Sequence, residues 1–181
     1  RKVKNERNIY MEAKYKGIDV SKWQGDINWE KVRASGVEFA MLRAGFGRCQ
    51  GQNDTSFERN YREAKKNGIL VGAYHYSYAK TVSDAEKEAE YFLSLISGKS
   101  FEFPVAFDIE DNSQKNLSSE EISNIVEAFC GRTEKAGYFV SVYANLWWLN
   151  NKISDRVKER YDIWLAQWAD APSYGGKYGM W

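Results

Sequence analysis

The chain is poor in the residues on which several kinds of site depend. It has one His, two Cys and two Pro among 181 residues. A metal centre built from several His ligands is therefore excluded, and two cysteines do not form a disulfide framework or a Cys-rich metal motif. We expect Cys49 and Cys130 to be unpaired thiols. His75 is expected to pack on the outward face of a strand, without a catalytic role.

Long apolar runs and an excess of one charge are also missing. No apolar run approaches the ~20 residues that a transmembrane helix needs. The 26 basic and 25 acidic residues give a net charge of +1, which provides no general attraction to nucleic acid or to an anionic membrane. We expect a monomer that binds neither and that carries no cofactor or metal.

The amino-terminal stretch RKVKNERNIYMEAKYK is charged and has no hydrophobic period. We interpret residues 1–16 as a linker or tail, and residues 17–181 as one domain with a sizeable core. The chain has no initiator Met and no signal-peptide pattern, so we expect an excised or processed domain.

One local pattern occurs three times: a helix that ends at a Gly, followed directly by an apolar strand. It appears in ASGVEFAMLRA, KNGILVGAYHY and KAGYFVSVYA. Such strands are typical of parallel sheets covered on both faces. Strands are predicted near residues 17–21, 37–44, 69–78, 103–110, 138–144, 162–168 and 178–181. Helices are predicted near residues 28–35, 54–67, 83–97, 118–136 and 146–152, with Asp54, Ser83 and Ser118 as caps.

The alternation of strands and helices predicts an α/β fold with a parallel sheet, either closed as a barrel or doubly wound. A G-x-G-x-x-G after the first strand and a G-x-x-x-x-G-K are both missing from the sequence. Because these motifs mark nucleotide-binding doubly wound folds, we favour the barrel.

The strongest functional signal is the stretch FPVAFDIED, in which an apolar strand ends in three carboxylates. Side chains alternate across a strand, so Asp108 and Glu110 point to the same side, with Cα atoms ~6.7 Å apart. Asp111 is predicted to begin the next loop. The opposite side is wholly apolar and is predicted to pack on helices: Val105, Phe107 and Ile109.

The same alternation collects polar and aromatic side chains at the carboxyl ends of the strands. The predicted inward set is Asp19, Arg43, Tyr74, Tyr76, Asp108, Glu110, Tyr143 and Trp168. In an α/β barrel this rim is where active sites lie. Carboxylates suit acid–base chemistry and aromatic rings suit stacking on sugars, so the cleft predicts a carbohydrate ligand. A metal site built from Asp19, Asp108 and Glu110 is a weaker alternative.

Five stretches carry a family resemblance: KGIDVSKWQGDINWEKVRASGVEFAMLRAGFG, GAYHYSYA, FPVAFDIED, SVYAN and DIWLAQW. They resemble the family 25 glycoside hydrolases, the Chalaropsis-type lysozymes, over about residues 17–181. The combination of D-V-S-x-W-Q-G with D-x-E is specific. The resemblance implies a modified TIM-like β/α barrel that cleaves the β-1,4 bond between N-acetylmuramic acid and N-acetylglucosamine of the peptidoglycan glycan strand, in the cell wall or outside the cell.

The resemblance also implies roles for individual residues. Glu110 matches the general acid/base, and Asp108 would orient the substrate's N-acetyl group while its carbonyl oxygen attacks the anomeric carbon. Asp19 matches a further active-site carboxylate, and the remaining residues of the inward set would bind substrate. Retention of configuration with substrate assistance follows. We expect a raised pKa for Glu110, with the like charge of Asp108 as the cause.

The sequence departs from the family at its end. Family members usually continue past the Trp of YGMW through a Gly-rich hairpin into a last strand, so we expect a barrel that lacks its last strand in this chain. Two other functions stay open. One is a barrel that binds glycan through Tyr74, Tyr143 and Trp168 without cleaving it, and the other is a metal-dependent hydrolase. A bacterial autolysin and a phage lysin are not distinguished.

Overall fold

The computed structural model of the protein describes residues 15–181. The first fourteen residues of the predicted tail lie outside this range. Six parallel strands form one sheet, and each strand pairs with the next along the chain. They are β1 (Gly17–Val20), β2 (Phe39–Phe46), β3 (Leu70–Tyr76), β4 (Val105–Asp108), β5 (Val140–Asn145) and β6 (Asp162–Ala166).

Helices connect the strands. They are α1 (Trp29–Ala34), α2 (Phe57–Lys66), α3 (Val82–Ile96), α4 (Ser119–Lys135), α5 (Leu146–Asn151) and α6 (Asp155–Arg160), with short 3₁₀ helices at Lys22–Gln24 and Asn112–Gln114. Sequential parallel pairing with helical crossovers curves the sheet into a half-barrel. Within residues 15–181, β1 pairs with β2 only, and the outer side of β6 is bridged at Met180. The predicted TIM-like α/β fold, lacking its closing strand here, is confirmed.

The outer face of the sheet forms the main core against the helices. Val105, Phe107 and Ile109 of the β4 segment are fully buried there, as predicted. The Phe107 ring stacks on Phe129 of α4 with ring centroids 4.1 Å apart. A smaller cluster fills the inside of the curve; its buried members are Phe39, Met41, Ala106 and Trp164.

His75 and the cysteines have the structural roles predicted for them. His75 is fully buried on the outer face, where its Nε2 lies 2.8 Å from the Gly47 carbonyl oxygen and its ring stacks on Phe129. Burial lowers the pKa of His75 to about 3, so the imidazole is neutral. Both cysteines are free thiols: Cys49 is exposed and Cys130 is buried.

Some predicted elements were wrong. The strand at 178–181 is reduced to a single bridge between Met180 and Trp164, in a segment interrupted by glycines. Helix α6 was missed because its six residues include a single buried side chain, Val157, which gives no detectable period. The cap of α3 is Thr81, whose hydroxyl accepts from the Asp84 N–H, and not Ser83. The predicted capping box of Ser118 is present.

A test of the packed barrel interior is provided by Gly72 of β3, which is paired in register with Met41. A Cβ at this position would lie 2.4 Å from the Met41 sulfur and 2.5 Å from the Pro104 carbonyl oxygen. Because the carbonyl belongs to the backbone, we expect Gly72→Ala to lower the free energy of unfolding by about 1–3 kcal/mol. Urea unfolding followed by circular dichroism measures this change.

The matched control is Gly131→Ala in α4, where an added Cβ meets no atom within 4 Å. Replacing a helical Gly by Ala is expected to stabilise the protein by up to about 1 kcal/mol. Equal shifts of the two unfolding midpoints in the same direction would show that Gly72 is not held against a close-packed interior.

Candidate active site

Strand β4 delivers a buried carboxyl group to the rim of the half-barrel. Asp108 is its last residue and is only 5% exposed. Its Oδ1 atom is buried without a hydrogen-bond partner in the part of the chain that the structure describes. Burial raises the pKa of Asp108 well above its ordinary value, and the negative charges of Glu110 and Asp19 raise it further.

Glu110 lies two residues beyond the end of β4, so the predicted strand 103–110 is too long at this end. Its Oε2 atom accepts two hydrogen bonds from Asn145, one from the backbone N–H at 2.9 Å and one from the side-chain amide at 2.8 Å. Burial raises the pKa of Glu110, and these two hydrogen bonds oppose the rise. The expected direction is found, but its main cause is desolvation and not the charge of Asp108.

Asp19 reaches the same cleft from β1 and remains open to solvent. Desolvation by the cleft walls raises its pKa, and its charge acts on Asp108, Tyr74 and Tyr143. Asp19 and Glu110 therefore both lie close enough to Asp108 to raise its pKa.

Arg43 is held by a carboxylate that the sequence reading assigned to a helix cap. The Oδ2 atom of buried Asp54 accepts from Arg43 Nε at 2.8 Å and from the Lys22 backbone N–H at 2.9 Å. Helix α2 begins at Phe57, and the Oδ1 atom of Asp54 accepts from the Ser56 backbone N–H at 2.9 Å in the turn that leads into it. Asp54 thus orients the guanidinium of Arg43. The positive charge of that guanidinium lowers the pKa of Asp108.

Aromatic rings line the cleft beside the carboxyl groups. Trp164 of β6 is 7% exposed and forms edge-to-face contacts with Tyr74 and Tyr143, with ring centroids 5.9 and 4.6 Å apart. Burial is the main cause of the raised pKa of both tyrosines. Carboxylate charges add to it, led by Asp19 at Tyr74 and by Glu110 at Tyr143.

The other two predicted ligand-binding aromatics are placed differently. Tyr76 ends β3, and its hydroxyl donates a hydrogen bond of 2.9 Å to Asp111. Asp111 begins the loop after β4, as predicted, and caps the 3₁₀ helix that follows. The predicted inward strand position of Trp168 is wrong. Strand β6 ends at Ala166, and the fully exposed Trp168 lies in a loop closed by hydrogen bonds between Gln167 and Ser173.

Sequence reasoning missed the functions of Asn145 and Asp54. Strand alternation does place Asn145 on the inward face, but nothing local indicates that it contacts a carboxylate 35 residues away. Across residues 15–181, no group of three or more His, Cys, Asp or Glu side chains is arranged to hold a metal ion. The weaker metal-site alternative built from Asp19, Asp108 and Glu110 therefore has no support in the geometry.

Comparison with known proteins identifies the family of the chain. The model of the glycosyl hydrolases family 25 matches residues 18–181. Lysozyme M1 of Streptomyces globisporus is 31% identical over 178 residues, covering 91% of this chain and 59% of that protein. The autolytic lysozyme of Clostridium acetobutylicum is also 31% identical, over 84% of this chain and 45% of its own length.

Solved structures show the same fold. The bacterial lysozyme of Streptomyces coelicolor superposes with a TM-score of 0.80 at 30% identity, covering 94% of this chain and 82% of that one. A family 25 glycosyl hydrolase of Bacillus anthracis gives a TM-score of 0.79 at 26% identity, covering 98% and 82%. The chain spans about half the length of the curated relatives it matches, 59% and 45% for the two lysozymes above. Since the family model matches nearly the whole chain, the protein belongs to the glycosyl hydrolases family 25.

Proposed function

We propose that the protein is a lysozyme that hydrolyses the β-1,4 bond between N-acetylmuramic acid and N-acetylglucosamine in peptidoglycan. The observation that carries this proposal is the pair of desolvated carboxyl groups, Asp108 and Glu110, at the carboxyl-end rim of the half-barrel. Family relatives named as lysozymes support the same substrate.

Glu110 is the proposed general acid. A carboxyl group must keep its proton at working pH to donate it, and burial raises the pKa of Glu110 in the required direction. Asn145 binds Oε2 through two donors, so Oε1 is the oxygen available to carry the proton. The proton passes to the glycosidic oxygen as the bond to the anomeric carbon breaks.

Asp108 is the proposed partner of the substrate's N-acetyl group. As the acetamido carbonyl oxygen attacks the anomeric carbon, positive charge develops on the acetamido group. That charge favours the ionised form of Asp108 against the burial that disfavours it, and the carboxylate in turn stabilises the charge. Its free, buried Oδ1 suits acceptance of the acetamido N–H. Glu110, now ionised, then takes a proton from the water that attacks the anomeric carbon and displaces the acetamido oxygen, and this second inversion restores the original configuration.

Asp19 supplies the further carboxylate, and Tyr74 and Tyr143 provide rings beside the reacting sugar. Arg43 would bind substrate in the orientation that Asp54 gives it, whereas Tyr76 and Trp168 are more remote candidates.

The proposed place of action is the peptidoglycan of the cell wall, reached from outside the cell or during lysis. None of the helices within residues 15–181 is long and apolar enough to cross a bilayer.

The first test is the loss of the proposed acid. Glu110→Gln keeps the shape and the acceptor oxygen but cannot donate a carboxylic proton, so we expect kcat to fall by about 10²–10⁴-fold. Turbidity loss and reducing-end release from purified peptidoglycan measure it. Asp162→Asn, at the opposite end of the half-barrel, is the control. Equal rates for wild type and Glu110→Gln contradict the assignment, and peptidoglycan binding by wild type without cleavage favours a binding module.

The second test separates function from stability at Asp108. A carboxyl group whose folded pKa is raised costs stability once the pH exceeds its unfolded value of 3.8, because the unfolded state ionises more readily. We therefore expect Asp108→Asn to be more stable than wild type at pH ~7, by on the order of 1 kcal/mol, while hydrolysis falls sharply. The stability difference should vanish as the pH falls below 3.8.

Thermal unfolding over a pH series measures the Asp108 effect. The control with the opposite sign is Asp155→Asn, because a hydrogen bond from Lys158 lowers the pKa of Asp155. That variant should lose stability at neutral pH. A destabilised Asp108→Asn protein at pH ~7 would show that the carboxylate is well solvated or paired in the folded state.

The third test concerns Asn145 as a positioning residue. Its donated hydrogen bonds stabilise the ionised form of Glu110, so removing the amide donor should raise the pKa of Glu110. Asn145→Ser retains a capping oxygen for the Trp148 N–H. We expect the alkaline limb of the kcat/KM profile to move to higher pH. An unchanged limb with a lower maximum would mean that Asn145 has only a structural role.

A further inference from the structure

Beside the carboxyl groups, an exposed aromatic ring and a lysine form a pair that the proposed reaction does not use. Trp147 of α5 is 44% exposed, and the Lys115 ammonium lies 5.1 Å from the centroid of its ring. We propose that this Trp147–Lys115 pair is a subsite for the peptide-bearing muramoyl unit of the glycan, in which the indole packs on the sugar and the ammonium binds a carboxylate of the peptide. This inference rests on the proposed function.

Both members of the pair are connected to Glu110 by short stretches of rigid chain. Trp147 follows Asn145 by two residues, and Asn145 donates to Glu110 through its backbone and its side chain. Lys115 caps the 3₁₀ helix Asn112–Gln114, which begins directly after Asp111. A glycan held at Glu110 therefore extends past a surface formed by the β4–α4 loop and the start of α5.

The indole is held rigidly from the α5 side. It packs edge-to-face on the buried Trp148, with ring centroids 5.9 Å apart and an angle of 82°. The Trp148 N–H donates to Asn145 Oδ1 at 3.1 Å, and the Asn151 amide donates to the Trp147 carbonyl at 2.7 Å. A ring held in this way loses little freedom when a ligand stacks on it.

The loop that carries Lys115 is also anchored. Gln114 is fully buried, and its side-chain amide donates to the Ala79 carbonyl at 2.9 Å and to Ser77 Oγ at 3.2 Å. Lys152, just after α5, donates to the Leu117 carbonyl at 2.6 Å and ties the loop to that helix. The relative placement of the ring and the ammonium is therefore preorganised.

Charge identifies which part of the polymer the lysine would bind. No carboxylate in residues 15–181 forms an ion pair with Lys115, whereas the cleft itself carries Asp19, Asp108 and Glu110. An anionic group is repelled from the centre of the cleft and attracted to the ammonium beside it. Where the muramic acid carries a peptide, its lactyl carboxylate is taken up in the amide bond, so the free carboxylates of peptidoglycan belong to the peptide.

The test compares two soluble substrates: peptidoglycan fragments with free peptide carboxylates, and the same fragments after these carboxylates have been converted to primary amides. We expect Trp147→Ala and Trp147→Leu to raise KM about three- to ten-fold on both, because both substrates present sugar faces. Lys115→Gln should raise KM about two- to five-fold on the substrate with free carboxylates alone, and high salt should abolish the difference. We expect kcat to change less than KM.

Controls come from the opposite end of the half-barrel. Phe139→Ala removes an exposed ring beside the start of β5, and Lys135→Gln removes a lysine from the last turn of α4. Neither should change KM on either substrate. Thermal unfolding confirms that the variants are folded, and Trp147→Leu retains apolar volume if Trp147→Ala is unstable.

The outcomes separate this inference from the proposed function. Equal effects of Lys115→Gln on the two substrates overturn peptide recognition, and unchanged KM for the Trp147 variants overturns the subsite. If wild type cleaves neither substrate, the proposed function fails, and binding to insoluble peptidoglycan with free or with amidated carboxylates then tests the subsite alone. Lys115→Gln should weaken sedimentation only with the material that has free carboxylates, and an equal effect of the substitution on both materials also overturns the inference.

Discussion

The carboxyl group of Asp108 is held out of water at the end of β4, and the chemistry of the cleft depends on this burial. Desolvation disfavours its charged form, and the charges of Glu110 and Asp19 add to the effect. The group stays in place because the apolar outer side of β4 is packed on α4 through contacts such as Phe107 on Phe129. Apolar packing on the outer face of β4 thus keeps the carboxyl group of Asp108 buried on the inner face, although burial disfavours its charged form. A carboxylate in such a position is suited to stabilise positive charge on a ligand.

The rest of the rim is held by polar contacts between elements that are distant in sequence. Asp54 joins the segment after β1, through Lys22, to Arg43 of β2. Asn145 joins β5 to Glu110, which follows β4. Each contact links neighbouring strands at their carboxyl ends, so the active-site geometry does not depend on one loop alone. An open half-barrel, whose last strand is bridged only at Met180 within residues 15–181, still presents an ordered cleft for this reason.

Local patterns predicted most of the fold and the main content of the cleft. Glycines after helices and near-continuous apolar strands indicated a parallel sheet, and a period of two placed Asp108 and Tyr143 inward. Strand alternation could not predict where the side chains of Glu110 and Trp168 lie, because both residues follow the ends of their strands. The pairing of Arg43 with Asp54 and the cause of the raised pKa of Glu110 depend on tertiary contacts, which have no local signal.

Asn145 limits how this region of the protein can vary. The oxygen of its side chain starts helix α5, and the nitrogen of the same side chain binds Glu110. Asp has a suitable oxygen for the helix start but would place a second negative charge against Glu110, and Gln carries the same amide on a longer stem. Few side chains satisfy both demands, so the start of α5 and the surroundings of Glu110 constrain this position jointly. A change of Asn145 to Asp would keep the oxygen that starts the helix but would replace the donor to Glu110 by a second carboxylate, so one atom decides whether this position supports the neighbouring carboxyl group.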